Sequence, residues 1–269
     1  MNVYAIRNDK DPSKDLAYLL YYKKSKQFYI EMLENIDSKE LPIILKHFYD
    51  EGKRVVNSYW SYIWVKERIV PQDRQNIAMI IKCNGLTNYD ELQLLILGNG
   101  RCSQDDFFID EVIDESLPAE ITIRFSRQID DCICLNNKDL LVFFRNGVIK
   151  KVDLKSLVHV NPKISILLDK EILLSALEIL PGGYELSFGN GIRIDNEDLY
   201  NYGMDVNIVS QDLIKYISER IVNTSEASEI LNCSRQNIND LVKRKKLNPI
   251  KTTSKHQLFL KTDIEKRQW

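Results

Sequence analysis

A chain of 269 residues, 44% apolar and 28% charged, has room for two or three domains with packed cores and is too apolar to default to disorder. The net charge of −2 hides an asymmetry: from Lys215 to Trp269 twelve Lys and Arg face six Asp and Glu, a net +6, which leaves −8 for everything before. The last fifth of the chain therefore suits a polyanion and the rest does not. Five scattered cysteines without a CxxC, and histidines only at 47, 159 and 256, offer no zinc-ligand spacing. Apolar runs such as "ISILL" are too short to span a bilayer, and the first residues carry no apolar signal core. The expectation is a cytoplasmic protein with reduced cysteines, no cofactor, no metal and no membrane partner.

The patterning predicts an α+β chain of three domains: 1–115, a helical domain that opens with a hairpin; 116–205, a small hairpin-rich α+β domain; and 222–269, a terminal module reached through a connecting helix in 206–221. "LAYLLYY-KKSK-QFYIEML" reads as two strands around a polar tetrapeptide, although runs of that length also suit a helix. Four helices should follow. "SKELPIILKHFYDEG" is expected to be capped by Ser38 and stopped by Gly52, and "NSYWSYIWVKERI" to be capped by Asn57, with Trp60 and Trp64 in the core. "QDRQNIAMIIKCNG" carries Ile77, Ile80 and Ile81 on one stripe, and "NYDELQLLILGNG" has Asn88 as its cap.

From 116 the period shifts to two. "ITIRF", "DCICL" and "LLVFFRNGVIKKV" read as strands, and Asn146-Gly147 is a strong hairpin signal. Pro181-Gly182-Gly183 should turn a second hairpin, and "NEDLYNYG" is a short helix from Asn196 to a stop at Gly203. The residues Phe144 to Gly147, Val152-Asp153-Leu154 and Ile194-Asp195 through Leu199-Tyr200 to Gly203 resemble a small bacterial α+β family, the domain of unknown function twenty-four forty-two. That resemblance implies a fold and a habit of lying beside helix-turn-helix segments, without an activity.

Catalytic constellations are weak. Asp195, Glu197 and Asp198 cluster where a helix starts, the usual place for carboxylates in a first turn. In "GRCSQDDFFID", Asp105 and Asp106 are possible metal ligands and Cys102 a possible nucleophile, yet no His lies near and acids before an aromatic strand are ordinarily surface charge. Arg68, Arg74 and Gln75 flank a helix start as a partner site or a second nucleic-acid contact, although an Arg beside a helix cap more often pairs with a nearby acid such as Asp73. No nucleophile–base or metal set converges, so no enzyme is expected.

The terminal segment is more specific. Asn223 and Thr224 precede a helix with Glu226 in its first turn, Asn232-Cys233 breaks it, and Ser234 caps a second helix with Ile238, Leu241 and Val242 inward. The outward side chains of that helix begin with Arg235, Gln236 and Asn239, which can bond purine edges, and end in Lys243 to Lys246, which suit phosphates. Two short strands around Thr253 to Gln257 and a helix capped by Thr262 complete the segment. The set Glu226-Ala227-Ser228, Ser234-Arg235-Gln236, Lys243 to Leu247 and Asp263-Ile264-Glu265 resembles the winged helix-turn-helix of excisionase-like and MerR-like DNA-binding proteins.

By that resemblance Arg235, Gln236 and Asn239 read bases, while Ser234, Lys243, Arg244, Lys251, Lys255 and His256 meet the backbone or sit in the wing. Lys245 stands where the family commonly ends this helix with Gly, a difference of roughly 1 kcal/mol if the residue is left-handed. The expected function is a DNA-binding transcriptional regulator or mobile-element control protein. It would act on double-stranded DNA as a homodimer, with the upstream domains sensing, dimerising or holding a protein partner. The competing expectation is a protein-interaction adaptor with an accessory basic tail.

Overall fold

The computed structural model of the chain describes residues 1–112, 117–135, 138–206, 210–253 and 256–269. They form a mixed α+β protein with four small antiparallel sheets, divided into two compact units, 1–123 and 124–269.

The first unit is built on a five-stranded sheet. Strands β1 (Asn2–Asn8), β2 (Ala17–Tyr22), β3 (Gln27–Met32), β4 (Val55–Val56) and β5 (Phe107–Val112) lie in the order β4-β3-β2-β1-β5. Tyr22 pairs with Gln27, so the loop of the β2–β3 hairpin is the tetrapeptide from Lys23 to Lys26. The β2 sequence fails to alternate because residues on both faces are buried, Leu19 on one and Tyr18 and Leu20 on the other. Helices α1 (Ile43–Asp50), α2 (Ser58–Lys66) and α4 (Glu91–Leu97) supply Leu45, Trp64, Val65 and Leu95 to the core of the unit, whereas α3 (Ile77–Cys83) has no buried residue and its Ile77, Ile80 and Ile81 are half-buried.

Several caps differ from expectation. Pro42 disfavours helix at Leu41, so α1 begins only at Ile43, and Asp37 rather than Ser38 caps a separate turn before it. Asp90, not Asn88, accepts the Gln93 amide at the start of α4, whereas Asn57 accepts from Trp60 as its spacing predicts. Trp60 is 41% exposed and only Trp64 is in the core.

"ITIRF" is not a strand. It belongs to helix α5 (Ala119–Ser126), whose first amide bonds run from Ile121 and Thr122 to the Pro118 carbonyl. A strand would have put Ile121 and Ile123 on one face; the helix buries the first and leaves the second 54% exposed.

The second unit contains two sheets, a set of short helices, and the terminal segment. Strands β6 (Ile129–Cys134), β7 (Leu140–Phe144) and β8 (Ile149–Val152) form a meander. Gly147 alone takes a positive φ (82°) at the β7–β8 turn, and Asn146 holds the turn by accepting the Val148 amide. Helices α6 (Ser165–Asp169) and α7 (Glu171–Leu174) lead to the second sheet, β9 (Glu178–Ile179), β10 (Glu185–Phe188) and β11 (Ile192–Asp195). Gly183 between β9 and β10 is needed twice over: its φ is 75°, and a Cβ there would overlap the Ile129 carbonyl oxygen.

Helix α8 (Asn196–Tyr202) is preceded by Asp195 as its cap residue; Asn196, read as the cap, instead donates its side-chain amide to the Arg127 carbonyl. Strand β12 (Met204–Asp205) then adds to the edge of β8. Phe144, Val152, Leu154, Ile194 and Leu199 share one buried core, and Tyr200 packs edge-on to Phe144 at 4.9 Å and accepts from Asn146.

On the other face of the meander, Ile133, Leu135 and Leu141 meet Tyr216 of helix α9 (Ser210–Arg220). Two residues of α9 converge on the buried Asp131. The Tyr216 hydroxyl donates to Oδ2 at 3.1 Å, and Arg220 Nε lies 3.3 Å from Oδ1 while its terminal nitrogen donates to the Cys132 carbonyl. Burial and that carboxylate push the Tyr216 phenol well above its usual range.

Candidate nucleic-acid interface

Directly after α9 the chain makes strand β13 (Ile221–Asn223), helices α10 (Thr224–Ile230) and α11 (Arg235–Lys243), strands β14 (Lys251–Thr252) and β15 (Gln257–Leu260), and helix α12 (Lys261–Glu265). Asn223 starts α10 with a reciprocal cap: its side chain accepts from the Ser225 and Glu226 amides, and Glu226 accepts the Asn223 amide at 2.7 Å. The helix ends where the Cys233 and Asn232 amides bond back to Ser228 and Glu229, with Asn232 left-handed at φ 47°. Ser234 then caps α11 by accepting the Asn237 amide at 3.2 Å. The same ending recurs on α11: Lys246 bonds to Leu241, Lys245 to Val242, and Lys245 sits at φ 54°.

The two helices cross over Ala227 and Ile238, which share a core with Val222, Leu247, Phe259 and Ile264. Strand β15 pairs with β13 on one side and β14 on the other, so the hairpin is the outer part of a three-stranded sheet. Its turn is closed by Thr253, which exchanges hydrogen bonds with His256. Helix α12 starts at Lys261, and Thr262, expected as its cap, is instead buried with a hydroxyl that has no partner.

Between the first turns of α10 and α11 and the hairpin lies a cleft of about 840 Å³. Arg235 and Asn239, one helical turn apart on α11, form one wall, and Lys251, Thr253, His256 and Gln257 form the other. Asn223, Thr224 and Ser225 also line it, where α10 begins. Among the described residues the lining holds no carboxylate.

No protein-family model, curated protein or solved structure matches this chain.

The cleft thus joins four of the residues that the sequence marks for contact: Arg235, Asn239, Lys251 and His256. Gln236 is exposed but follows Arg235 by about 100° around the helix and is not on the wall. Ser234 is engaged as a cap. Lys243 and Arg244 are exposed at the far end of α11, with Lys243 Nζ 3.9 Å from Asp240. Lys255 lies outside the described residues.

Sequence reasoning missed Asn223, Thr224, Ser225, Thr253 and Gln257 as lining residues. Asn223 could be read as a cap, and nothing in a cap signal says what its outer surface will face.

The other candidate positions are differently engaged. The Arg68 guanidinium, 1% exposed, stacks on Trp64 at 3.8 Å and binds the Asp105 carboxylate. Asp105 also accepts from the Phe107 amide and the Cys102 thiol. Arg68 therefore is not presented to a partner, while Arg74 and Gln75 are exposed. Among the described residues no three or more His, Cys, Asp or Glu side chains come together as a metal ion would require. No helix among them is long and apolar enough to cross a membrane.

Proposed function

We propose that this chain is a cytoplasmic DNA-binding protein, a transcriptional regulator or mobile-element control protein, which reads double-stranded DNA with a winged helix-turn-helix spanning 222–269. The carrying observation is the cleft, lined by no carboxylate among the described residues, that brings together Arg235, Asn239, Lys251 and His256. A concave surface with cations and amides and no carboxylate attracts phosphates, and an Arg and an Asn one turn apart can bond purine edges. The +6 balance of the last 55 residues supports the same reading, as does its contrast with the acidic remainder. One such module reads a short site, so the protein acts as a homodimer, and 116–205 is a relative of the domain of unknown function twenty-four forty-two that holds or senses a partner.

The test is selection of bound sequences from a random DNA library by the whole chain, followed by a salt titration on the enriched site. About four phosphate contacts give a slope near −4 in log affinity against log salt. Arg235→Ala should flatten the preference at one position, whereas Lys243→Ala should weaken all sequences alike and lower the slope by about 1. A protein that retains no DNA at moderate salt but captures a protein partner would be the adaptor instead.

A further inference from the structure

Within the cleft one side chain is unfinished. The Gln257 carbonyl oxygen, Oε1, is buried and has no hydrogen-bond partner. Such an atom lowers stability, because it has lost water without gaining a donor. Other buried polar atoms without partners are found on Trp64, Arg68, Gln128, Arg220 and Thr262, but among the described residues only Gln257 lines this cleft.

Gln257 stands in β15 opposite Thr252, in the strand pair that adjoins the hairpin turn, and it lines the same cleft as Arg235 and Asn239. An unsatisfied amide can turn about its last bond and offer either a donor pair or an acceptor to whatever enters. Next to a guanidinium and a second amide, that is the chemistry that recognises the N6 and N7 edge of adenine beside a guanine.

We infer that Gln257 is a specificity-determining residue: its side-chain amide, with that of Asn239, bonds a nucleobase edge in the bound DNA. This rests on the DNA-binding reading above and assigns to the hairpin, beside its turn, a base-reading role that the sequence pattern places on α11 alone. A backbone-contacting residue would lose affinity on all sequences; Gln257 loses discrimination at one position.

The experiment is library selection with the wild-type chain, Gln257→Met and Gln257→Glu, together with thermal melts of all three without DNA. Gln257→Met keeps the length of the side chain and removes the orphan carbonyl, so it melts at or above the wild-type temperature. On DNA it should lose on the order of 10-fold discrimination at one base position with an unchanged salt slope. Gln257→Glu should shift the preferred base at that position from adenine toward cytosine, whose N4 amino group donates to a carboxylate.

A wild-type motif that both variants reproduce overturns the inference and leaves the DNA-binding reading standing. A uniform loss of affinity with an unchanged motif overturns it too, in favour of a backbone contact. A wild type that enriches no motif overturns both. A lowered melting temperature in Gln257→Met would show that the amide is structural, and if the motif is then unchanged at a temperature where the variant is folded, the assignment fails.

Discussion

Lys245 and Glu185 each hold a conformation or charge state that the residue type resists. Lys245 takes φ 54° so that α11 can end with the amides of Lys245 and Lys246 bonded to Val242 and Leu241. A side chain with a Cβ is strained there, and glycine is not, so Lys245→Gly should stabilise the protein by about 0.5–1 kcal/mol in urea unfolding. The cation is lost as well, so DNA affinity should fall slightly while the midpoint rises.

Glu185 presents a different tension. Its side chain is 4% exposed, directly across the β10–β11 pair from Asp195 and 3.4 Å from Arg193. Burial and the Asp195 carboxylate push its pKa up to about 7, against a smaller downward pull from Arg193. The folded state therefore holds a proton that the unfolded chain releases near the ordinary carboxylate value. The stabilisation is complete below about pH 4.5 and is lost as pH rises through about 7, on the order of 3 kcal/mol in all. Glu185→Gln should gain on the wild type in melting temperature between pH 5 and pH 8; a difference that does not change with pH would refute the assignment.

At the scale of elements, the reciprocal cap of α10 does two jobs with one residue. Asn223 satisfies two amides and also lines the cleft. Asn223→Ala should cost about 1 kcal/mol, whereas Asn223→Asp keeps the cap and places a carboxylate on an acid-free wall. Asp should thus melt like the wild type and bind DNA more weakly, measured by calorimetry and by filter retention. Weakening in Ala but not Asp would mean that the cap alone matters.

The elements differ in how legible they are in the sequence. Polar caps adjacent to periodic apolar runs, Asn57 and Asn223, announce themselves, as do the hairpins at Lys23–Lys26 and Asn146-Gly147. Where two polar residues compete, as at Ser38 against Asp37 or Asn88 against Asp90, the choice depends on where the chain enters the helix, which tertiary packing sets. "ITIRF" misleads because alternation over five residues also fits a helix with Ile121 and Phe125 one turn apart. Strand β1 carries no period-two signal, since Val3 to Ile6 are all buried, and only the partners β2 and β5 define its sheet position. Within the cleft, Arg235 and Asn239 were visible as a pair on one helix, but the lining residues from β15 and the start of α10 belong to a surface no local pattern encodes.

For the second unit taken whole, Asp131 is the hinge pin of the energetics. It is buried, accepts from Tyr216, and pairs with Arg220. Removing Arg220 alone would leave that carboxylate without its cation, so Arg220→Leu should cost about 3–5 kcal/mol in urea unfolding. Asp131→Asn in the same chain should recover part of the loss, a non-additivity that independent sites would not show.

Asp130, the neighbour of Asp131 in β6, receives Lys266, which lies just past α12. The segment from Arg220 to Lys266 thus leaves and returns to the same strand and is closed on β6 like a link in a chain. Opening it from either side breaks an ion pair on the strand that carries the meander. Amide exchange in β6 should therefore slow when the cleft, tens of residues away in sequence, is occupied, and that strand becomes a reporter of binding without touching the ligand.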